Sequence, residues 1–173
     1  KRTDDFNNGD NEGMGYFPFT VRNGLRCSTA VGYLNPVKNR SNLKIIVNAH
    51  VEKINFKDKK AVSVNYYTGD ETNSVTANKE VILSAGSIGS PHILQVSGIG
   101  DNKKLNNCGI NVVKELKGVG LNLQDHLMFR PVYKLKNIKS LNRDVESLYS
   151  KFLMGLQYIL KQSGPITMGA SQV

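Results

Sequence analysis

Residues 80–100 read Glu80-Val81-Ile82-Leu83-Ser84-Ala85-Gly86-Ser87-Ile88-Gly89-Ser90-Pro91-His92-Ile93-Leu94-Gln95-Val96-Ser97-Gly98-Ile99-Gly100. The run Val81-Ile82-Leu83 is continuously apolar, which predicts a strand buried on both faces. It ends at Ser84-Ala85-Gly86. Ser87, Gly89 and Pro91 continue the small, turn-prone chemistry. A short apolar helix over Ile93–Val96 follows, stopped by Ser97-Gly98-Ile99-Gly100. A strand that ends in small residues and turns into a helix lets another molecule approach the backbone closely. The N–H groups and dipole at the start of such a helix favour a negative group.

Upstream of this stretch, Ala61–Tyr67 alternates with Val62, Val64 and Tyr66 on one face, and Val51–Phe56 alternates with imperfect phase. Thr68-Gly69-Asp70 is a turn and Asn73–Ala77 a short return strand, giving an antiparallel meander. Leu43–Val47 reads as a strand. Ser28 caps a short helix through Leu34, which Pro36 closes. Residues 1–26 are polar, Gly-rich and without period, and read as loop.

Downstream, Asn102–Asn107 reads as a helix ended by Gly109, and Ile110–Val113 as a strand. Residues 118–126 form a loop whose glycines permit unusual backbone angles. Residues 131–136 read as a strand. From Val145 to Lys161, Leu148, Phe152, Leu156 and Ile159 recur at helical spacing, giving an amphipathic helix that Gly164-Pro165 ends. Such a helix is a packed surface helix or a membrane-surface anchor.

Composition sets bounds on function. The chain has 173 residues, is 39% hydrophobic and 21% charged, and carries a formal net charge of +9. That is an ordinary globular composition. Its lysines are scattered and do not interleave with aromatics, so a solvated surface is expected rather than a nucleic-acid interface, with docking on anionic lipid as the smaller possibility. No run of 18 apolar residues is present, as a membrane-spanning helix would require. Cys27 and Cys108 make neither a disulfide framework nor a metal site, and read as buried or partly buried thiols. His50, His92 and His126 lack metal-ligand spacing, so no metal is expected.

The segment Gly86-Ser87, Ser90-Pro91, Ile93-Leu94 and Ser97-Gly98-Ile99-Gly100 resembles the second signature of the glucose–methanol–choline oxidoreductase family, flavin-dependent alcohol oxidases and dehydrogenases. Gly13–Phe17, Arg22–Ala30, Tyr33–Pro36 and Arg40–Leu43 follow the family's order and spacing. Gly118-Val119-Gly120-Leu121-Asn122-Leu123-Gln124-Asp125-His126 resembles its GVGxNLQDH segment. The resemblance is close over residues 6–129 and looser beyond, and is nearest to the choline dehydrogenase and aliphatic alcohol dehydrogenase branch. It implies an α/β fold, α+β in part. The expected architecture is the later portion of a Rossmann-like FAD-binding domain over 1–129, with the meander inserted, and the start of a substrate-binding domain over 130–173.

The family opens on a GxGxxG turn that cradles the flavin diphosphate. The triplets Gly13-Met14-Gly15, Gly98-Ile99-Gly100 and Gly118-Val119-Gly120 lack the third glycine. The family's catalytic His lies beyond the equivalent of Val173. The expectation is therefore an internal fragment of a longer enzyme, inactive alone, with no catalytic residue in this chain.

The resemblance implies FAD as cofactor, with Val51, Ala85 and Gly86 as its contacts in this chain. Val51 corresponds to the valine that meets the adenine end, largely through its backbone. A plain strand valine is the alternative. Small side chains at Ala85 and Gly86 leave room for the ribose or diphosphate, or serve helix-on-strand packing. Asn122, Asp125 and His126 are expected to make structural hydrogen bonds rather than a general-base pair, since neighbours in sequence usually point apart.

The implied reaction oxidises the CH–OH group of a primary alcohol to a carbonyl by hydride transfer to flavin. A small-molecule alcohol and an electron acceptor, a quinone-type carrier or oxygen, are the implied partners. The expected compartment is the cytoplasm or a peripheral membrane position. Choline-oxidising members carry an acid two positions after the His of the Asp-His pair. This chain has Met128 there, which favours an uncharged alcohol over choline. Choline dehydrogenase proper, or a degenerate non-catalytic member acting as a binding module, are the alternatives.

Overall fold

The computed structural model describes residues 1–5, 7–10, 12–129, 132–134, 136–137 and 141–167. Its elements are β1 (Val21–Arg22), β2 (Leu25–Arg26), a π-helical turn (Ala30–Leu34), β3 (Ala49–Lys57), β4 (Lys60–Thr68), β5 (Glu71–Thr76), α1 (Gly86–Val96), β6 (Ile99–Gly100), α2 (Asn102–Asn107), β7 (Lys114–Glu115), α3 (Leu141–Glu146), α4 (Leu148–Lys161) and a 3-10 turn (Pro165–Thr167). The chain forms two compact units. One joins Lys1–Lys44 with Pro131–Val173, and the other is Ile45–Arg130.

The second unit is built on the expected meander, an antiparallel sheet in the order β3-β4-β5. Both its turns are two-residue hairpins. At the first, Asp58 and Lys59 both hold positive φ, 49° and 65°, the arrangement that matches strand twist. At the second, Gly69 takes φ 59°. The pairs Ser63↔Thr76, Asn65↔Ser74 and Tyr67↔Thr72 give one polar face, and Val64↔Val75 lies on the other. The imperfect phase of β3 has a physical origin. The register shifts between Val51 and Lys53, so Glu52 is bulged. An extra residue in one strand resets the alternation. Val51 and Ile54, three apart in sequence, therefore pair with Tyr66 and Val64 on one face of β4.

Helix α1 packs against β3. Ser97, just past the helix, is the joint. Its hydroxyl donates to the Ile93 carbonyl at 2.5 Å and accepts from the Ile54 N–H at 2.8 Å. Because β3 is an edge strand, an outward N–H such as that of Ile54 needs such a partner. Gly98 takes φ 87°, and a Cβ there would sit 2.4 Å from the Asn111 carbonyl oxygen. The tight turn lets β6 pair in parallel with β7.

Asp101 caps α2 by accepting from the Lys104 N–H at 3.0 Å. At the other end Ile110 N–H bonds the Leu105 carbonyl and Gly109 N–H the Asn106 carbonyl, a complete Schellman motif around the expected glycine. Leu105 and Ile54 are the buried apolar side chains among the described residues.

In the first unit, Asn23 and Gly24 hold φ 50° and 70° between β1 and β2. Residues 21–26 are thus a hairpin rather than loop. A Cβ on Gly24 would lie 2.5 Å from the Gln162 carbonyl oxygen, beside the end of α4. The turn after Ser28 is π-helical, with the Asn35 N–H bonded to the Ala30 carbonyl and the Val31 N–H to Ser28 Oγ. The expected helix over 145–161 is two helices. Ser147 caps α4 by accepting from the Ser150 N–H, and a residue spent as a cap ends the preceding helix.

Three expected strands are not strands. Leu43–Val47, Val81–Leu83 and Ile110–Val113 form no ladder. A strand exists through its partners, and these runs have none among the described residues. Ile82 is 78% exposed, which corrects the expectation of a strand covered on both faces. Residues 132–134 form no strand, and the rest of the expected strand over 131–136 falls partly outside the described residues. Cys27 is half-buried as expected, but Cys108 is exposed, because it caps α2 at the surface.

Candidate functional site

Within the second unit an open groove of about 990 Å³ runs along α1, from Ser87 to Gln95, and is faced by the loop Gly118–Gln124. One wall presents Ser87, Ile88, Ser90, Pro91, His92, Leu94 and Gln95, the other the loop itself. No carboxylate lines it, and the first turn of α1 holds no acidic residue. The positive end of the helix is left uncompensated, a setting that favours an anionic group.

Helix α1 starts earlier than its apolar run suggests, at Gly86, and carries Pro91 inside. Pro91 has no N–H to return to the preceding turn. Ser90 Oγ accepts from the Ala85 N–H at 3.0 Å and so fixes the entry to the helix. Gly86 takes φ 83°, and a Cβ placed on it would meet nothing within 4 Å. Within the described residues no neighbour packs against this position. What remains is the backbone angle, which side chains rarely adopt, and open space over the backbone at the end of the groove.

The opposite wall is a succession of tight turns. Val119 N–H bonds the Leu116 carbonyl, and Leu121 N–H the Gly118 carbonyl. Gly120 takes φ 76° and Asn122 φ 56°. Gln95 Nε2 donates to the Val119 carbonyl at 3.2 Å across the floor.

Of the residues singled out from the sequence, Ala85 and Gly86 immediately precede Ser87 at one end of the groove. Val51 stands apart on β3, half-buried and in register with Tyr66, and does not line the groove. Asn122 lines it. Asp125 and His126 are exposed, and Asp125 Oδ1 accepts from the backbone N–H of His126 at 2.8 Å. The carboxylate serves the local backbone, in keeping with a structural role. His92 reaches the groove and His50 is exposed on β3. Among the described residues no cluster of His, Cys, Asp and Glu is arranged to hold a metal ion, and no helix is long and apolar enough to cross a membrane. Sequence reasoning missed Gln95. Its bond to Val119 joins residues 24 apart, and no local pattern signals it.

Residues 1–128 match the family model described as GMC oxidoreductase. The chain belongs to this family. It is 43% identical over 163 residues to an oxygen-dependent choline dehydrogenase of Photobacterium profundum, covering 94% of this chain and 28% of the relative. It is 48% identical over 141 residues to an oxygen-dependent choline dehydrogenase of Pectobacterium carotovorum subsp. carotovorum, covering 81% and 25%. Among solved structures it is similar to an FAD-dependent oxidoreductase from Chaetomium thermophilum, with TM-score 0.81 and 30% identity over 96% of this chain and 30% of that one. The GMC chain thus spans less than a third of the length of these relatives. The mixed helix-and-strand fold expected from the sequence is the fold of this family.

No side chain caps the start of α1, its first turn carries no acidic residue, and space is open over Gly86, a chemistry that fits a diphosphate-bearing cofactor such as FAD.

Proposed function

We propose that the complete protein is an FAD-dependent oxidoreductase that oxidises the CH–OH group of a primary alcohol to the carbonyl. Residues 1–129 would belong to its FAD-binding domain, and residues 130–173 would open its substrate-binding domain. Membership of the GMC family, together with the open backbone at Gly86, is the observation that carries this reading. FAD, when bound, supplies the acceptor for the hydride. The part of this chain is to bind and orient it. Ala85 and Gly86 give the cofactor close access to the backbone at the helix N-terminus, and Val51 offers main-chain groups on an edge strand. Catalytic proton handling is assigned to residues outside these 173. Oxygen or a quinone-type carrier takes the electrons onward.

Two substrate readings have specific support. The relatives named as choline dehydrogenases favour choline. The apolar Met128, in place of the acid expected two positions after the Asp-His pair, favours an uncharged alcohol, since a buried quaternary ammonium needs a counter-charge. Our reading is the uncharged alcohol. The test is kcat/KM for choline and for a medium-chain primary alcohol in one assay on the complete, FAD-loaded protein. A clear preference for the alcohol is expected. Preference for choline would overturn the substrate assignment alone. A complete protein that binds no flavin after reconstitution would overturn the whole reading and favour a non-catalytic binding module.

A further inference from the structure

Gln95 is the one polar side chain of α1 that reaches across the groove to the opposite wall. Its Nε2 donates to the Val119 carbonyl at 3.2 Å, and it is half-buried. The loop is shaped around it. A Cβ on Gly120 would lie 2.7 Å from Gln95 Nε2 and 3.4 Å from its Cδ. A Cβ on Gly100 would stand 3.4 Å from Gln95 Cγ, so the side chain is also backed from behind. Elsewhere the loop is held by its own short turns, and its start is tied by the Leu116 N–H to the Gly100 carbonyl at 2.9 Å.

From this contact set we propose that Gln95 is a positioning residue for the cofactor. It pins the Gly118–Gln124 loop at the spacing from α1 that receives FAD; Gly120 is held to glycine by its φ of 76°, and the Gln95 amide in addition fills the space a Cβ would take there. This rests on the groove's being the flavin site, as proposed above. An amide at this position sets a distance between two walls that have no other described side-chain bond to one another. Losing one such bond amounts to about a three- to tenfold change in an equilibrium.

The experiment uses the complete protein, wild type and four variants: Gln95→Glu, Gln95→Ala, Gly120→Ala and the double variant Gln95→Ala/Gly120→Ala. Gln95→Glu keeps the shape and removes the donor. Two readouts are taken: amide hydrogen exchange of residues 118–124 in the apoprotein, and the Kd for FAD from flavin fluorescence, with the visible circular dichroism of the bound flavin. Gln95→Glu is expected to speed loop exchange and raise the FAD Kd by about three- to tenfold, and to alter the flavin dichroism. Gly120→Ala is expected to be more harmful with Gln95 present than in the Gln95→Ala background, since part of its defect is a clash with that side chain. Additivity in the cycle, or unchanged loop exchange in Gln95→Glu, would overturn the pin. Faster loop exchange with an unchanged FAD Kd would overturn its role toward the cofactor. Failure of the wild type to bind FAD would instead strike the proposed function, while loop exchange would still decide the pin.

Discussion

Replacing Ser97 by Ala isolates the joint between helix and sheet. The hydroxyl has two bonds, and their loss is unequal. The Ile93 carbonyl keeps the backbone N–H of Ser97 at 3.1 Å, so removing the hydroxyl donor there costs little. The Ile54 N–H has Ser97 Oγ as its partner, and both residues are buried, at 6% and 7% exposure. A buried donor left without an acceptor costs about 1–3 kcal/mol. Alanine leaves only the small space of one oxygen, so the cavity contribution is minor. The expected loss is about 2 kcal/mol, roughly a thirtyfold increase in local opening. Native-state hydrogen exchange of the Ile54 amide in the complete protein reads this directly. Ser97→Thr, which retains the hydroxyl, is expected to keep most of the protection. An Ile54 amide that exchanges within about threefold of wild type in Ser97→Ala would refute the reasoning. So would a uniform rise across β4 and β5, which would signal global rather than local loosening.

Two more expectations concern the meander. Lys59 sits at φ 65° in the β3–β4 turn, where a side chain costs about 1 kcal/mol, so Lys59→Gly should stabilise the complete protein by about 0.5 kcal/mol after the entropy of glycine is deducted; a lowered urea midpoint would count against this. Burial raises the pKa of the Tyr67 phenol, and the neighbouring Glu52 carboxylate raises it further. A raised folded-state pKa gives stability that is complete below the ordinary tyrosine value and is lost as pH climbs through the folded value, so Glu52→Gln should bring Tyr67 ionisation to lower pH, seen as the tyrosinate absorbance difference against Tyr67→Phe, and an unmoved titration would show that the carboxylate does not act on it.

The meander is legible in the sequence because its information is local. Alternation places the faces, and Thr68-Gly69-Asp70 places a turn. The hairpin at 21–26 is equally local, since Asn-Gly is the strongest short hairpin signal, but the polar, Gly-rich surroundings of Asn23-Gly24 mask it. The runs 43–47, 81–83 and 110–113 have strand composition without strand partners. Composition records what a segment suits, and pairing depends on what lies beside it. Pro91 reads as a turn residue and hides the first turns of α1. At the site, the small residues at Ala85-Gly86 point to one end of the groove. The opposite wall is visible only as a glycine-bearing loop, because the Gln95–Val119 bond depends on how two distant segments are packed.

The division of the chain into units has a consequence for the order of events during synthesis. Every pairing within β3-β4-β5 closes across a two-residue turn, so its closure entropy is small and it can form in about microseconds to milliseconds. The meander therefore has all three of its strands once residue 76 is free. The first unit draws on Lys1–Lys44 and on chain from Pro131 onward. At about 5–20 residues per second, its first half waits on the order of ten seconds for the second. During that interval residues 14–37 are without the later segment of their own unit. Residues 14–37 then wait for their later partners while the meander already holds its own pairings.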